Sequence, residues 1–273
     1  MTSFVMPGLP PTQPSLPVRG FFAAILGRPG SGKSTFASYW PDPVAVIDYR
    51  DQGLLDLASE GLLAPGLTID RISVCDHFEK YLASLQAAVA GPRKTIICES
   101  IIGIQSLCES YTSTKDFEGD RSDRRFLNYQ AGPRTAANFY MQQLLDCMLQ
   151  AQNKGKHVLL IGHVATGMEK NILGNDFLAG RLSASKAMTE RILATMMNVF
   201  VFVNEAETVY DKGTFKSNKT TNRLCYPHEC SEYPSKNRLG LTGPFDINGS
   251  PQEMFLKFCA KTRRNPKTGY RSS

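Results

Sequence analysis

The nine residues GRPGSGKST, Gly27 to Thr35, follow directly on the apolar run FFAAILG and constrain this chain more than any other stretch. They fit the spacing G-x-x-x-x-G-K-[ST] through Gly27, Gly32, Lys33 and Ser34. Glycines let a backbone curl tightly enough for several N–H groups to face one anion, and a helix opening at the loop adds further donors. In that arrangement Arg28, Pro29, Gly30, Ser31 and Thr35 complete the loop. Lys33 reaches the β- and γ-phosphates, and the Ser34 hydroxyl ligates Mg²⁺. The β-rich lead-in and the helix-compatible STFASYW behind it supply the strand–loop–helix context that the pattern needs. The implied ligands are a nucleoside triphosphate and Mg²⁺.

Four more near-continuous apolar runs recur along the chain: VAVID (44–48), TIICES (95–100), HVLLIGHV (157–164) and VFVFVN (199–204). Runs of this kind are expected of strands buried on both faces of a mostly parallel sheet. Helix-length stretches lie between them, such as Asp76 to Ala90 and Ala136 to Asn153. The alternation predicts an α/β fold, a P-loop sandwich with helices on both faces. Beyond Asn204, TVYDKGTF reads as a C-terminal β-hairpin extension turning at Lys212 and Gly213. A length of 273 residues suits one such domain. Residues 1–20, with five prolines, read as an extended or disordered arm, whose Phe4 and Val5 are apolar anchors if it docks on a neighbouring subunit. Residues 21–260 read as the core and 261–273 as a basic flexible tail. No apolar run approaches the ~20 residues of a membrane span, and the start lacks the order of a secretory signal. Seven cysteines without regular spacing suit a reduced, cytoplasmic setting. The net charge of +6 permits a nucleic-acid partner without requiring one.

Phosphoryl transfer also needs a carboxylate on the metal side, a group to orient the attacking water, and positive charge for the transition state. In an open α/β sheet these belong at the carboxyl ends of the strands. TIICES ends in Glu99, a Walker-B-like position where Asp is usual. VAVIDYRD brings Asp48 and then Asp51, candidates to polarise water. His163 ends another strand and is either a γ-phosphate sensor or a hydrogen-bonded structural residue. In PSKNRLG, Lys236 and Arg238 alternate, so on a strand both would share a face. They read either as a cationic pair that neutralises a γ-phosphate or as an exposed basic turn.

Taken in order, GRPGSGKST, VAVID, TIICES, LLIGHV and PSKNRLG resemble the RecA-type P-loop ATPases. They look most like small phage-encoded proteins related to the Sak single-strand-annealing ATPases, over roughly residues 21–245. The resemblance implies a RecA-like sandwich that hydrolyses ATP and acts on single-stranded DNA in recombination or replication, in the host cytoplasm if phage-encoded. By position it makes Glu99 the metal-side acid, His163 the γ-phosphate sensor, and Lys236 and Arg238 the K-x-R finger. That finger reaches the adjacent protomer's site, so the implied active unit is a homo-oligomeric ring or filament. Two departures bear on rate: the family's second strand ends in D-x-E, whereas Asp48, Tyr49 and Arg50 stand here with Asp51 shifted, and Walker B carries Glu99. A slow ATPase using nucleotide as a clamp fits these departures.

RecA-type proteins hold single strands through loops after the third and fourth strands. Here those regions are 111–134, with Arg121, Arg124, Arg125 and Arg134 beside Phe126 and Tyr129, and 167–191, with Lys170, Arg181, Lys186 and Arg191. Cations interleaved with aromatics suit backbone neutralisation and base stacking, although four nearby acids offset the charge. Cys225, His228 and Cys230 supply three of the four ligands of a structural Zn²⁺ site, with no fourth nearby. Two other function classes stay open. One is a small-molecule or nucleoside kinase with DRSDRR as a lid; the other is a non-catalytic assembly that nucleotide stabilises.

Overall fold

Alternation along FFAAILG decides where both cores lie. In this computed structural model, which describes residues 18–41, 44–48, 53–64, 69–72, 77–122, 124–169, 174–211, 214–228, 230 and 232–272, Phe22, Ala24 and Leu26 face one core. Phe21, Ala23 and Ile25 face the other. The arm's residues 1–17 lie outside the described residues, as do Asp51, Lys170 and the Lys212–Gly213 turn.

The strands are β1 (Phe22–Gly27), β2 (Val44–Asp48), β3 (Ile69–Ile72), β4 (Thr95–Glu99), β5 (His157–Glu169), β6 (Phe177–Leu182), β7 (Val199–Asp211), β8 (Thr214–Tyr226) and β9 (Phe245–Asp246). The helices are α1 (Lys33–Ser38), α2 (Gly53–Ser59), α3 (Phe78–Ala90), α4 (Ile101–Asp116), α5 (Arg124–Leu127), α6 (Ala131–Thr135), α7 (Gln142–Asn153), α8 (Lys186–Thr195) and α9 (Pro251–Lys261). A π-helical turn, Ala136–Met141, leads into α7. The sheet runs β3-β2-β4-β5-β1-β7-β8-β9, with β6 pairing to the outer part of β5. From β3 to β7 every pairing is parallel. The β5–β6, β7–β8 and β8–β9 pairs are antiparallel. Residues of α3, α4, α7 and α8 cover one face, and those of α1 and α9 the other. The predicted α/β sandwich with a mostly parallel sheet and helices on both faces, and its antiparallel C-terminal extension, are therefore present.

Side chains close the elements where the backbone leaves groups unpaired. Lys156 Nζ donates to the carbonyls of Ala88 (3.0 Å), Gly91 (2.5 Å) and Arg93 (2.8 Å), capping the end of α3. Ser250 and Glu253 form a capping box that starts α9, with Pro251 behind the cap.

The tail differs from its expected mobility. Residues 262–272 fold back on the amino end of β1. The Arg264 guanidinium lies 3.9 Å from the Phe21 ring centre, and Tyr270 Oη donates to Gly155 O at 2.7 Å. Burial lowers the Arg264 pKa to about 10. The sequence shows only basic residues here; what retains them is the exposed side of the Phe21–Trp40 stack, which this segment covers.

His157 joins tail and sheet. Its Nδ1 accepts from Phe21 N at 3.0 Å, and its Nε2 lies 2.8 Å from Thr268 O. A neutral ring with hydrogen on Nε2 satisfies both partners. Burial, opposed by the Thr268 carbonyl and aided by nearby Arg264, lowers its pKa to about 4. The unfolded chain therefore takes up this proton first as pH falls. The stabilisation, about 3 kcal/mol, is complete above pH ~6.5 and disappears as pH approaches 4. Urea unfolding of the wild type between pH 7 and 4.5 should show that slope, and His157→Gln should flatten it; parallel profiles would contradict the assignment.

Candidate functional site

The loop after β1 is closed around Lys33. Gly32 has φ +85°, and a Cβ there would meet Met254 Cε at 3.3 Å, so glycine suits both the backbone and the space. Lys33 is 4% exposed, and its Nζ donates to Gly27 O (3.1 Å), Arg28 O (2.9 Å) and Ser31 Oγ (3.3 Å). These oxygens hold the ammonium inside the loop.

The carboxylate predicted from TIICES meets this loop. Glu99, 4% exposed at the end of β4, accepts from Ser34 Oγ at 2.5 Å. The contact joins residues 65 apart in sequence across the intervening β5. The Glu99–Ser100 peptide is cis, and Ser100 then caps α4 through Gly103 N. His163 pairs level with Gly27 across β1 and β5, which places it beside the loop and half-buried. Asp48 pairs level with Glu99 in the backbone register.

A model of an AAA domain family, AAA_24, matches residues 19–239, which span the loop, Glu99, His163 and the K-x-R segment. The chain belongs to the AAA_24 family. No curated protein matches this sequence. Among solved structures, the AAA domain is similar to a KaiC-like protein from the archaeon Pyrococcus horikoshii OT3, at 15% identity and TM-score 0.39, with 84% of this chain and 90% of that one covered. It is also similar to the RadB recombinase, at 12% identity and TM-score 0.43, with 85% and 89% covered.

Elsewhere in the AAA domain the predicted residues separate into groups. Lys236 and Arg238 are not on a strand: Lys236 makes an isolated bridge to Val199, and the chain then bends. Val199 pairs level with Ala24, three residues before Gly27, so the pair begins roughly 10 Å along the strand direction from the loop. Asn237 explains the bend, because its side chain binds the Leu239 and Leu241 amides and the Pro227 carbonyl. The Lys236 ammonium donates to Leu193 O in the last turn of α8, and burial, with Arg238 nearby, lowers its pKa. Arg238 is exposed.

Phe126 is not available for base stacking. It is 4% exposed and lies flat on Gly132, where a Cβ would fall 2.3 Å from the ring. Tyr129 is available, at 90% exposed with φ +51°. Arg121 is tied to Ser106 O and Ser110 Oγ at 2.6 Å each, and Arg125 pairs with Glu118 at 3.4 Å. Arg124 and Arg181 are exposed, while Lys186 pairs with Glu190 at 3.9 Å. Structure rather than sequence brings the two basic regions together: Gln130, Arg134, Lys186 and Arg191 line one groove of about 520 Å³ between α6 and α8.

The suggested zinc ligands do not converge. Cys225 is wholly buried in the α1-side core and its pKa is pushed well up by burial, and among the described residues no three His, Cys, Asp or Glu side chains are grouped to hold a metal. A second cavity, about 640 Å³, adjoins the loop between the β5–β6 and β7–β8 ribbons; Val164, Val201 and Tyr233 line it, and Arg28 donates to Thr166 at its edge (2.9 Å). Among the described residues no helix is long and apolar enough to cross a membrane.

Arg223 is the neighbour of the loop that sequence reasoning missed. It lies on β8, with Nη1 3.6 Å from where a Gly32 Cβ would be. Lone arginines in a polar strand carry no sequence signal; alternation from Cys225, which faces the α1 core, was the only clue to its direction.

Removing the Lys33 ammonium leaves three loop oxygens without their cation and the phosphates without a partner. Lys33→Ala should weaken binding of a fluorescent ATP analogue by at least 10-fold. Unchanged affinity would show that the loop is not the nucleotide site.

Proposed function

We propose that this protein is an ATP-binding RecA-like ATPase that acts on single-stranded DNA as a homo-oligomer. The observation that carries the ATPase reading is the 2.5 Å Ser34–Glu99 hydrogen bond beside the Lys33 loop. A hydroxyl and a carboxylate so placed are a hard oxygen donor set suited to Mg²⁺, which Ser34 and Glu99 would hold. Bound there, Mg²⁺ would supply positive charge to offset that of the phosphates. Lys33 then turns from the loop carbonyls to the β- and γ-phosphate oxygens. Asp51, or Glu99 itself, orients the water that attacks the γ-phosphorus, and His163 contacts the γ-phosphate from β5. Attack gives ADP and inorganic phosphate without a covalent intermediate.

Two observations support an oligomer and a nucleic-acid partner. The Lys236–Arg238 segment begins away from its own loop, and Arg238 is exposed, which suits delivery to a neighbouring protomer's γ-phosphate. Exposed Tyr129 directly precedes Gln130, which lines a groove with Arg134, Lys186, Glu190 and Arg191, and so offers a stacking surface close in sequence to that groove. The RadB recombinase's name is consistent with this reading. Phage origin is part of the same proposal and rests on the sequence resemblance alone.

ATP turnover per protomer, with and without single-stranded DNA, tests the reading. Stimulation by DNA supports it, whereas tight ATP binding with no turnover under either condition favours a nucleotide-stabilised assembly. Arg238→Ala should keep ATP affinity but lower turnover by about 10-fold or more, the scale of a charge-assisted contact in the transition state. Mixing that variant with Lys33→Ala protein should restore part of the turnover; no rescue would remove the finger's role between protomers.

A further inference from the structure

Arg223 is a cation placed against the Gly27–Thr35 loop with no carboxylate partner among the described residues. Its backbone is fixed on both sides: Arg223 N donates to the Asn248 side chain, and Arg223 O accepts from Ile247 N at 2.9 Å. Its guanidinium is half-buried, and Nη1 meets Met254 Sδ at 3.2 Å. Among the described residues no carboxylate pairs with it. A thioether is a weak acceptor and does not neutralise a guanidinium. Met254 Sδ and Arg223 Nη1 lie side by side against Gly32, 3.5 and 3.6 Å from where a Cβ there would be.

The order of strands says which part of a nucleotide this arginine would meet. Glu99 reaches Ser34 from β4, on one side of β1, whereas Arg223 comes from β8, on the other. With the β,γ end of a nucleotide held at Ser34 and Glu99, the α-phosphate and ribose would extend toward β8 and α9. From these placements we infer that Arg223 is a nucleotide ligand supplied by the protein's own protomer, contacting the α-phosphate of ATP or ADP bound at the Gly27–Thr35 loop. The inference rests on the ATP reading above and assigns a contact distinct from the Lys236 and Arg238 pair. The contact serves binding: the α-phosphate is present before and after hydrolysis, so Arg223 holds ATP and ADP alike.

The test uses the full chain and fluorescent analogues of ATP and ADP. The wild type, Arg223→Ala, Arg223→Lys and Arg223→Gln are titrated, and each is melted without nucleotide. Arg223→Ala should weaken both nucleotides by about 10- to 100-fold, the range of a charge-assisted contact. Arg223→Lys should recover part of the loss, and melting temperatures without nucleotide should stay close to wild type. If the alanine variant does not fold, Arg223→Gln, which keeps a planar polar group beside Met254, is expected to show the same parallel loss. Wild-type affinity for both nucleotides in a folded variant overturns the inference while leaving the ATP reading intact. A loss confined to ATP also overturns it, because it places the guanidinium on the γ-phosphate. A wild type that binds neither nucleotide overturns the ATP reading, and the inference falls with it.

Discussion

The burial of β1 on both faces and its pairing on both edges fix the position of every group at the site. Phe22, Ile25 and Leu26 are fully buried, each worth about 1.5–3 kcal/mol of transfer free energy. Their strand is hydrogen-bonded to β5 on one side and β7 on the other. The chain leaving Gly27 therefore has one place to turn. Lys33 is pinned to that turn by its own carbonyls, and Ser34 is delivered to Glu99. An edge strand in the same role would let the loop shift, and a 2.5 Å contact between residues 65 apart would not persist.

What sequence could reveal followed from how local the signal is. The parallel strands β1, β2, β4, β5 and β7 declared themselves because burial on both faces demands unbroken apolar runs, and VAVID matched β2 residue for residue, whereas β3, IDRI at the end of the sheet, has two charges and was missed. Glu99 was legible as a polar residue ending such a run. β6, by contrast, is a ribbon strand pairing on one edge only, and FLAGRL carries neither a long apolar run nor strict alternation. Alternation in the K-x-R segment left a shared strand face and a basic turn equally open, and the structure gives the turn, because Asn237 between the two cations bends the chain with its own side chain. Phe126 misled for a related reason: an aromatic between arginines looks like a stacking residue until a glycine six residues on offers it a flat surface to cover. The tail was unreadable because its partners, Phe21, Gly155 and His157, lie more than a hundred residues away.

The two carboxylate departures acquire a physical sense from the geometry. Glutamate at the end of β4 is one methylene longer than aspartate, and the added reach is used in a direct contact with Ser34. On the proposed ATPase reading, Ser34 and Glu99 would exchange this charge-assisted hydrogen bond for a shared cation. α4 starts immediately after β4, capped by Ser100, so Glu99 stands next to the first turn of a long helix.

Charge around the loop divides by distance along β1. Arg28 and Lys33 lie on the loop and Arg223 beside it, opposed by Glu99 on the metal side. Lys236, about three residues' rise away, is instead neutralised by the carbonyl end of α8. An ammonium so engaged, with its pKa lowered by burial, is poorly placed to leave for a phosphate, whereas exposed Arg238 has no such anchor. The two cations of the K-x-R pair thus differ in setting: Lys236 ties the segment to α8, and Arg238 is exposed. On the proposed reading, a cation that acts across an interface is held at its base and exposed at its tip, and Lys236 and Arg238 would each meet one of these requirements.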